Sequence, residues 1–68
     1  MSPTPKQMGR RMKRLRVAQG MSQYALAKKA KISRDYLRDL EQGVSDPTVG
    51  MLTKLARALG VPVGELLE

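Results

Sequence analysis

Residues that begin and end helices recur at short intervals along this chain, and they limit the folds it can adopt. A Ser or Thr side chain accepts a hydrogen bond from the free N–H groups at a helix start. Gly ends a helix because it tolerates a left-handed backbone. The starting residues are Thr4, Ser22, Ser33 and Thr48, and the glycines that follow helical segments are Gly20, Gly43 and Gly60. This order predicts four helices, followed by a short turn or helix over GELLE.

Apolar residues within these segments follow helical spacing, and no run alternates with the period of two that is typical of a strand. The predicted inward positions include Met8 and Met12, Leu26 and Ala27, Leu37 and Leu40, and Leu52, Leu55 and Leu59. The chain is therefore predicted to be all-α. We expect one domain over residues 1–68, with a loose N-terminal tail over residues 1–4.

The basic residues are concentrated in the first half of the chain. The net charge is +7, and every side chain from Met1 to Arg34 that is charged at neutral pH is Lys or Arg. The acids Asp35, Asp39, Glu41, Asp46, Glu65 and Glu68 all follow. This division predicts one positive side that faces a polyanion. The alternative is a charged surface that only keeps the protein in solution.

Several classes of function are disfavoured by composition. The chain has no Cys and no His, which removes the commonest metal ligands and catalytic bases, so we predict no enzyme activity and no cofactor. No apolar run is long enough to span a membrane, and we expect a cytoplasmic protein. A basic first helix lying on a membrane is disfavoured because it has no Trp or Phe. RNA binding is disfavoured because only Tyr24 and Tyr36 could stack on bases.

The segment from Met21 to Gly43 meets the requirements of a helix-turn-helix. Such a motif needs a small residue in its first helix, an apolar residue in the turn and apolar residues on the inner face of its second helix. Ala27, Ile32 and the pair Leu37 and Leu40 fill these positions. The second helix of such a motif enters the DNA major groove and reads base edges with residues near its N-terminal end. The outward residues predicted to read bases are Ser33, Arg34, Asp35, Arg38 and Asp39.

The alternative for these five residues is a solvated helix face, on which Asp35 pairs with Arg38 three residues later.

Four segments of the chain resemble a known family. They are LRVAQGMSQYALA, ISRDYLRDLEQG, DPTVGMLTKLARALGV and ELL. Together they make the chain similar to the lambda-repressor/Cro-like helix-turn-helix family, also called the xenobiotic-response-element family. The resemblance implies a compact five-helix domain that binds double-stranded DNA and regulates transcription, most often as a repressor. It also implies a homodimer on a two-fold operator. The alternative function is an antitoxin or adaptor that uses the same fold to bind a protein partner.

The resemblance also implies roles for individual residues. Ser22 and Gln23 would bind one DNA phosphate, with helix capping as the alternative. Gln42 and the backbone around Val44 and Ser45 would bind a second phosphate. Tyr36 would contact the DNA backbone or a thymine methyl group, or would only cover the edge of the core.

Further positions that match the family are structural. Arg16 and Glu41 would form a partly buried ion pair. Leu66 and Leu67 are the predicted dimer contact.

Two positions depart from the family pattern. Lys31 stands where a turn Gly is usual, so either its backbone is left-handed or the turn differs, and its charge would then attract a phosphate. Val44 and Ser45 stand where Lys or Arg is common, which weakens the second phosphate site.

Overall fold

The computed structural model describes residues 3–67, which form helices joined by tight turns, with no strand in that range. The all-α, five-helix prediction is confirmed. Met1 and Ser2, which belong to the predicted tail, and Glu68 lie outside the described residues. The helices are α1 (Pro5–Ala18), α2 (Gln23–Ala30), α3 (Arg34–Gln42), α4 (Val49–Leu59) and α5 (Gly64–Leu67).

The first four helices begin at the Ser and Thr residues that the sequence indicated. The hydroxyl groups of Ser22, Ser33 and Thr48 each accept a hydrogen bond from the backbone N–H three residues later, at 3.0 Å. Thr4 does the same for Gln7 at 3.1 Å, and the Gln7 side chain accepts from the Thr4 N–H in return. This reciprocal capping makes Thr4 part of the start of α1, so the predicted loose tail over residues 1–4 is wrong at this residue.

The core lies where α1 packs on α3 and α2 packs on α4, with α5 closing one end. Its largest fully buried side chains are Met12, Leu26, Leu37, Leu40, Leu55 and Leu66. The Leu66 carbonyl also accepts a hydrogen bond from Arg11 Nη1 at 3.4 Å, which ties α5 to α1. Leu66 was predicted as a dimer contact, and that prediction is wrong because the side chain is 0% exposed in the single chain.

Gly9, which the sequence interpretation passed over, sets the distance between α1 and α3. A Cβ atom added at this residue would lie 2.5 Å from the carbonyl oxygen of Glu41, and it would also collide with the Leu40 carbonyl. The absence of a side chain therefore lets the two helix backbones approach directly. A glycine inside a helix lowers its stability, and this cost is the signal that could have identified the contact from the sequence.

The α2–α3 turn contains the one residue other than Gly, among residues 3–67, with a positive φ. Lys31 has φ 59° and ψ 44°, in the left-handed region. Its N–H donates to the Lys28 carbonyl at 3.2 Å, and the Ile32 N–H donates to Ala27 at 2.9 Å. These bonds cap α2, so the chain keeps the usual turn geometry with a Lys in place of Gly.

Replacing Lys31 by Gly is expected to raise the free energy of unfolding by about 1 kcal/mol, because the left-handed backbone strain of an L residue is removed. Urea denaturation measures the change. Lys31→Ala is the control, since Ala keeps the strain but loses the charge, and we expect it to leave stability within about 0.5 kcal/mol. Equal stabilisation by both variants would attribute the effect to charge and contradict the prediction.

Candidate nucleic-acid interface

The outer face of α3 presents the residues that were predicted to read bases. Leu37 and Leu40 are both 0% exposed and fix the inner face of this helix against the core. On the other side, most of the predicted reading residues are exposed and Asp39 is half-buried. The exposed ones are Ser33, Arg34, Asp35 and Arg38. The structure thus brings these four residues together on the outer surface of α3, from its N-cap to its middle.

Asp35 and Arg38 face each other along α3. Asp35 Oδ1 lies 3.7 Å from Arg38 Nη2, and the two side chains are 78% and 51% exposed. An exposed pair of this kind contributes little to stability. Arg38 can therefore exchange its carboxylate partner for another acceptor at small cost, and the pairing does not remove it as a base-reading candidate.

Tyr36 is half-buried and packs against the core. Of the two roles considered for it, covering the edge of the core is therefore the one that the packing supports. Ile32, predicted as the apolar residue of the turn, is likewise half-buried against the same core.

Ser22 and Ser33 both cap helices, but capping leaves part of each hydroxyl group available. Each oxygen accepts a backbone hydrogen bond from the residue three positions later, Ala25 or Tyr36. A hydroxyl can still donate its own proton to another acceptor, and both residues are exposed. Capping is therefore compatible with phosphate binding by Ser22, for which the two were considered as alternatives, and with base reading by Ser33.

Gln23 has a partner inside the protein that the sequence did not reveal. Its Nε2 donates to Glu41 Oε1 at 3.0 Å, across the space between the start of α2 and the end of α3. The side chain is half-buried. Its orientation is thus set by Glu41, and this bond uses one of the two N–H donors of the amide that was predicted to bind a phosphate.

Glu41 is the centre of a buried polar cluster that joins three helices. Arg16 Nε donates to Glu41 Oε2 at 2.7 Å and Arg16 Nη2 donates to Oε1 at 3.0 Å, a two-pronged contact between a guanidinium and a carboxylate. Arg16 Nη1 donates further to the Met21 carbonyl at 2.8 Å. Arg16 and Glu41 are each 7% exposed. The ion pair that the resemblance implied is present, and it fixes α1 and the start of α2 to the end of α3.

At the predicted second phosphate site, the backbone N–H groups already have partners inside the protein. The N–H groups of Val44 and Ser45 both point to the Asp39 carbonyl, at 2.9 and 3.3 Å, where they cap the end of α3. These amides are therefore not free to bind a phosphate, and the prediction that the backbone at Val44 and Ser45 binds one is wrong. The exposed Gln42 side chain and the half-buried Ser45 side chain are what this segment can offer.

Exposed basic side chains also lie on the two helices that precede α3. Arg10, Lys13 and Arg14 on α1, and Lys28 and Lys29 in the last turn of α2, are exposed. Among residues 3–67, the ion pairs are Arg16 with Glu41 and Arg38 with Asp35, so these five basic residues take part in none.

Within the same described range, no group of three or more acidic side chains is placed to hold a metal ion. None of the helices described is long and apolar enough to cross a membrane.

Leu67, the other predicted dimer residue, is 41% exposed.

Comparison with known proteins matches this chain to helix-turn-helix proteins. The family model HTH_3, described as helix-turn-helix, matches residues 12–66. The immunity repressor protein of Bacillus phage phi105 is 37% identical over 60 residues, which are 88% of this chain and 42% of that protein. The chain thus spans less than half the length of this curated relative.

Solved structures with the same fold include the restriction-modification controller protein C.AhdI from Aeromonas hydrophila. Its TM-score is 0.89 at 34% identity, over 91% of this chain and 94% of that one. The biofilm regulator SinR, solved in complex with DNA, has a TM-score of 0.82 at 33% identity, over 87% of this chain and 95% of that one.

Proposed function

This chain belongs to the helix-turn-helix family HTH_3, and from that membership we propose that it is a sequence-specific regulator of transcription that binds double-stranded DNA. The single observation that carries the proposal is the exposed outer face of α3, with Arg34 and Arg38 held outward by the buried Leu37 and Leu40. The similarity to SinR, solved with DNA, and to a phage immunity repressor supports the same function and favours repression.

Base recognition is assigned to α3. An arginine that projects into the major groove pairs best with guanine, through the O6 and N7 acceptors, while a carboxylate such as that of Asp35 accepts from cytosine N4. Arg34 and Arg38 are one helical turn apart, so both can reach the same groove. Ser33 and Asp39 lie at the two sides of this pair and are the remaining candidates.

Phosphate binding is assigned to the helix starts next to this face. The N–H groups of Gln23 and Tyr24 open α2, and a helix N-terminus attracts an anion through its free N–H groups and its dipole. The Ser22 hydroxyl lies at the same end and can donate. In this proposal Gln23 acts through its backbone N–H, and its side chain orients the helix by its bond to Glu41.

The proposed assembly is a homodimer on two half-sites about one turn of DNA apart. Leu67 is the dimer residue that stays available, because it is exposed at the end of the described chain. We further propose that residues 1–68 form one helix-turn-helix domain that works in the cytoplasm without a cofactor. Leu67→Asp is the variant that probes this dimer contact through the molar mass in solution.

Selection of random duplex DNA by the purified protein tests the function directly. The expected product is an inverted repeat, and its affinity should exceed that of a scrambled duplex by about a thousandfold or more at matched salt. The affinity should also fall steeply as salt rises, because bound phosphates release counterions. Recovery of no preferred sequence would contradict sequence-specific regulation.

Replacing Arg34 or Arg38 by Ala should weaken binding to the selected operator by about 1 to 3 kcal/mol and leave binding to scrambled DNA much less changed. Fluorescence anisotropy with both duplexes measures this difference. Arg57→Ala is the matched control, because Arg57 is an exposed Arg on α4, a helix outside the helix-turn-helix formed by α2 and α3. An equal loss on both duplexes would remove the arginine from base recognition.

A further inference from the structure

A cavity of about 340 Å³ opens between the end of α2 and one face of α4. Its volume lies within the range of small-ligand sites. Two buried alanines, Ala30 and Ala58, contribute to its walls, and their small side chains leave space between the helices. The other lining residues are all basic. They are Lys29, Lys31, Lys54 and Arg57.

These four cations have no carboxylate partner in the described part of the chain. The ion pairs there are Arg16 with Glu41 and Arg38 with Asp35, and no acidic residue lines the cavity. Of the three basic residues that follow Arg34, two therefore lie in this one cavity. Four like charges around one concave space raise the local potential and attract an anion.

Helix ends explain only part of this cluster. Lys29 and Arg57 lie in the last turns of α2 and α4, where a cation is stabilised by the helix dipole. Lys31 is the C-cap residue of α2 and therefore also lies at a helix end. Lys54 lies in the middle of α4, so its position is not explained in this way. Lys31, which was predicted to bind a DNA phosphate, is among the residues that line this cavity.

We propose that this cavity binds the phosphate groups of a small phosphorylated ligand, outside the DNA interface. A planar guanidinium binds two phosphate oxygens at once, and ammonium groups add charge without a fixed orientation. Four cations suit a diphosphate, which carries several negative charges in a compact group. No lining residue belongs to α3 or to the first turn of α2, the elements assigned to DNA. The proposal therefore does not depend on the proposed function.

Inorganic pyrophosphate is the probe, titrated into the whole chain in a calorimeter at low salt. We expect saturable binding of one pyrophosphate per chain, with the NMR amide signals of residues 29–31 and 54–58 shifting during the titration. The double variant Lys54→Gln/Arg57→Gln should weaken this binding by at least about tenfold, because two charge-assisted contacts are lost. Both residues are exposed, so the variant is expected to fold, which thermal unfolding verifies.

Arg10→Gln/Arg14→Gln is the control, with the same loss of charge on exposed residues of α1 outside the cavity. It should change pyrophosphate affinity by less than about twofold, since distant surface charges are screened. Absence of saturable binding, or equal weakening in both double variants, would overturn the proposal.

The DNA backbone is the other source of phosphate groups. Measuring operator affinity distinguishes binding of DNA in this cavity from binding of a small phosphorylated ligand. If Lys54→Gln/Arg57→Gln weakened operator binding more than the charge-matched control did, the cavity would belong to the DNA interface and the proposal would fail. If the native chain bound no DNA at all, the proposed function would be contradicted, and the pyrophosphate result would be unaffected.

Discussion

Replacing Glu41 by Ala should lower the free energy of unfolding by about 3 to 5 kcal/mol, the range found when one partner of a buried ion pair is removed. Arg16 is buried in the native chain, and the variant leaves its guanidinium with a single remaining acceptor, the Met21 carbonyl at 2.8 Å. It also removes the acceptor of the Gln23 amide. A domain of this size has a stability of the same order, so partial unfolding at room temperature is expected. Urea denaturation followed by far-UV circular dichroism measures the loss.

Two controls separate the buried charge from other effects. Asp46→Ala removes an exposed acid and should change stability by no more than about 0.5 kcal/mol. The double variant Arg16→Met/Glu41→Leu removes both charges and should be more stable than Glu41→Ala, since no unpaired charge stays buried. If the double variant were less stable than the single one, the ion pair itself, and not the orphaned Arg16, would account for the loss.

The same cluster links stability to the reading face. Glu41 lies in the last turn of α3, and its carboxylate binds Arg16 of α1 and Gln23 at the start of α2. The reading helix and the N-terminus assigned to phosphate binding are thus oriented by one side chain. A variant that weakens this cluster without unfolding the domain, such as Gln23→Ala, is expected to lower affinity for all DNA sequences, because it affects how α2 is positioned and not which bases α3 reads.

Much of this fold could be predicted from the sequence because its helix boundaries depend on local chemistry. Ser22, Ser33 and Thr48 cap their helices through bonds that span only three residues, and such bonds are visible as residue types at fixed spacing. The outer face of α3 was predictable for the same reason, since Leu37 and Leu40 determine which side of the helix is buried.

The features that the sequence did not reveal depend on distant parts of the chain. The bond between Gln23 and Glu41 joins residues 18 positions apart. The basic cavity combines lysines of α2 and its turn with Lys54 and Arg57 of α4, which are far away in sequence. The amides of Val44 and Ser45 were assigned to a phosphate because their residue types do not indicate whether a helix carbonyl already accepts from them. Leu66 was assigned to a dimer because its burial depends on how α5 packs against α1 and α4, which is a tertiary property.

The contact between α1 and α3 at Gly9 gives the second large expected effect. Gly9→Ala should lower the free energy of unfolding by about 3 kcal/mol or more, because the added Cβ meets backbone carbonyls of Leu40 and Glu41 that no rotamer change can move aside. The collision lies at the end of α3 that carries Glu41, so separating the helices would also stretch the Arg16 ion pair. Replacement of a helical Gly by Ala otherwise stabilises a protein.

Gly50 offers the matched control, since it is also helical, lies in α4 and would place its Cβ no closer than 3.9 Å to the Thr48 Oγ1 atom. Gly50→Ala should therefore raise stability, by about 0.5 kcal/mol. Thermal and urea denaturation of the two variants compare the same chemical change with and without a facing backbone. If both substitutions stabilised the domain, α1 and α3 would be able to separate at no cost, and Gly9 would not determine their spacing.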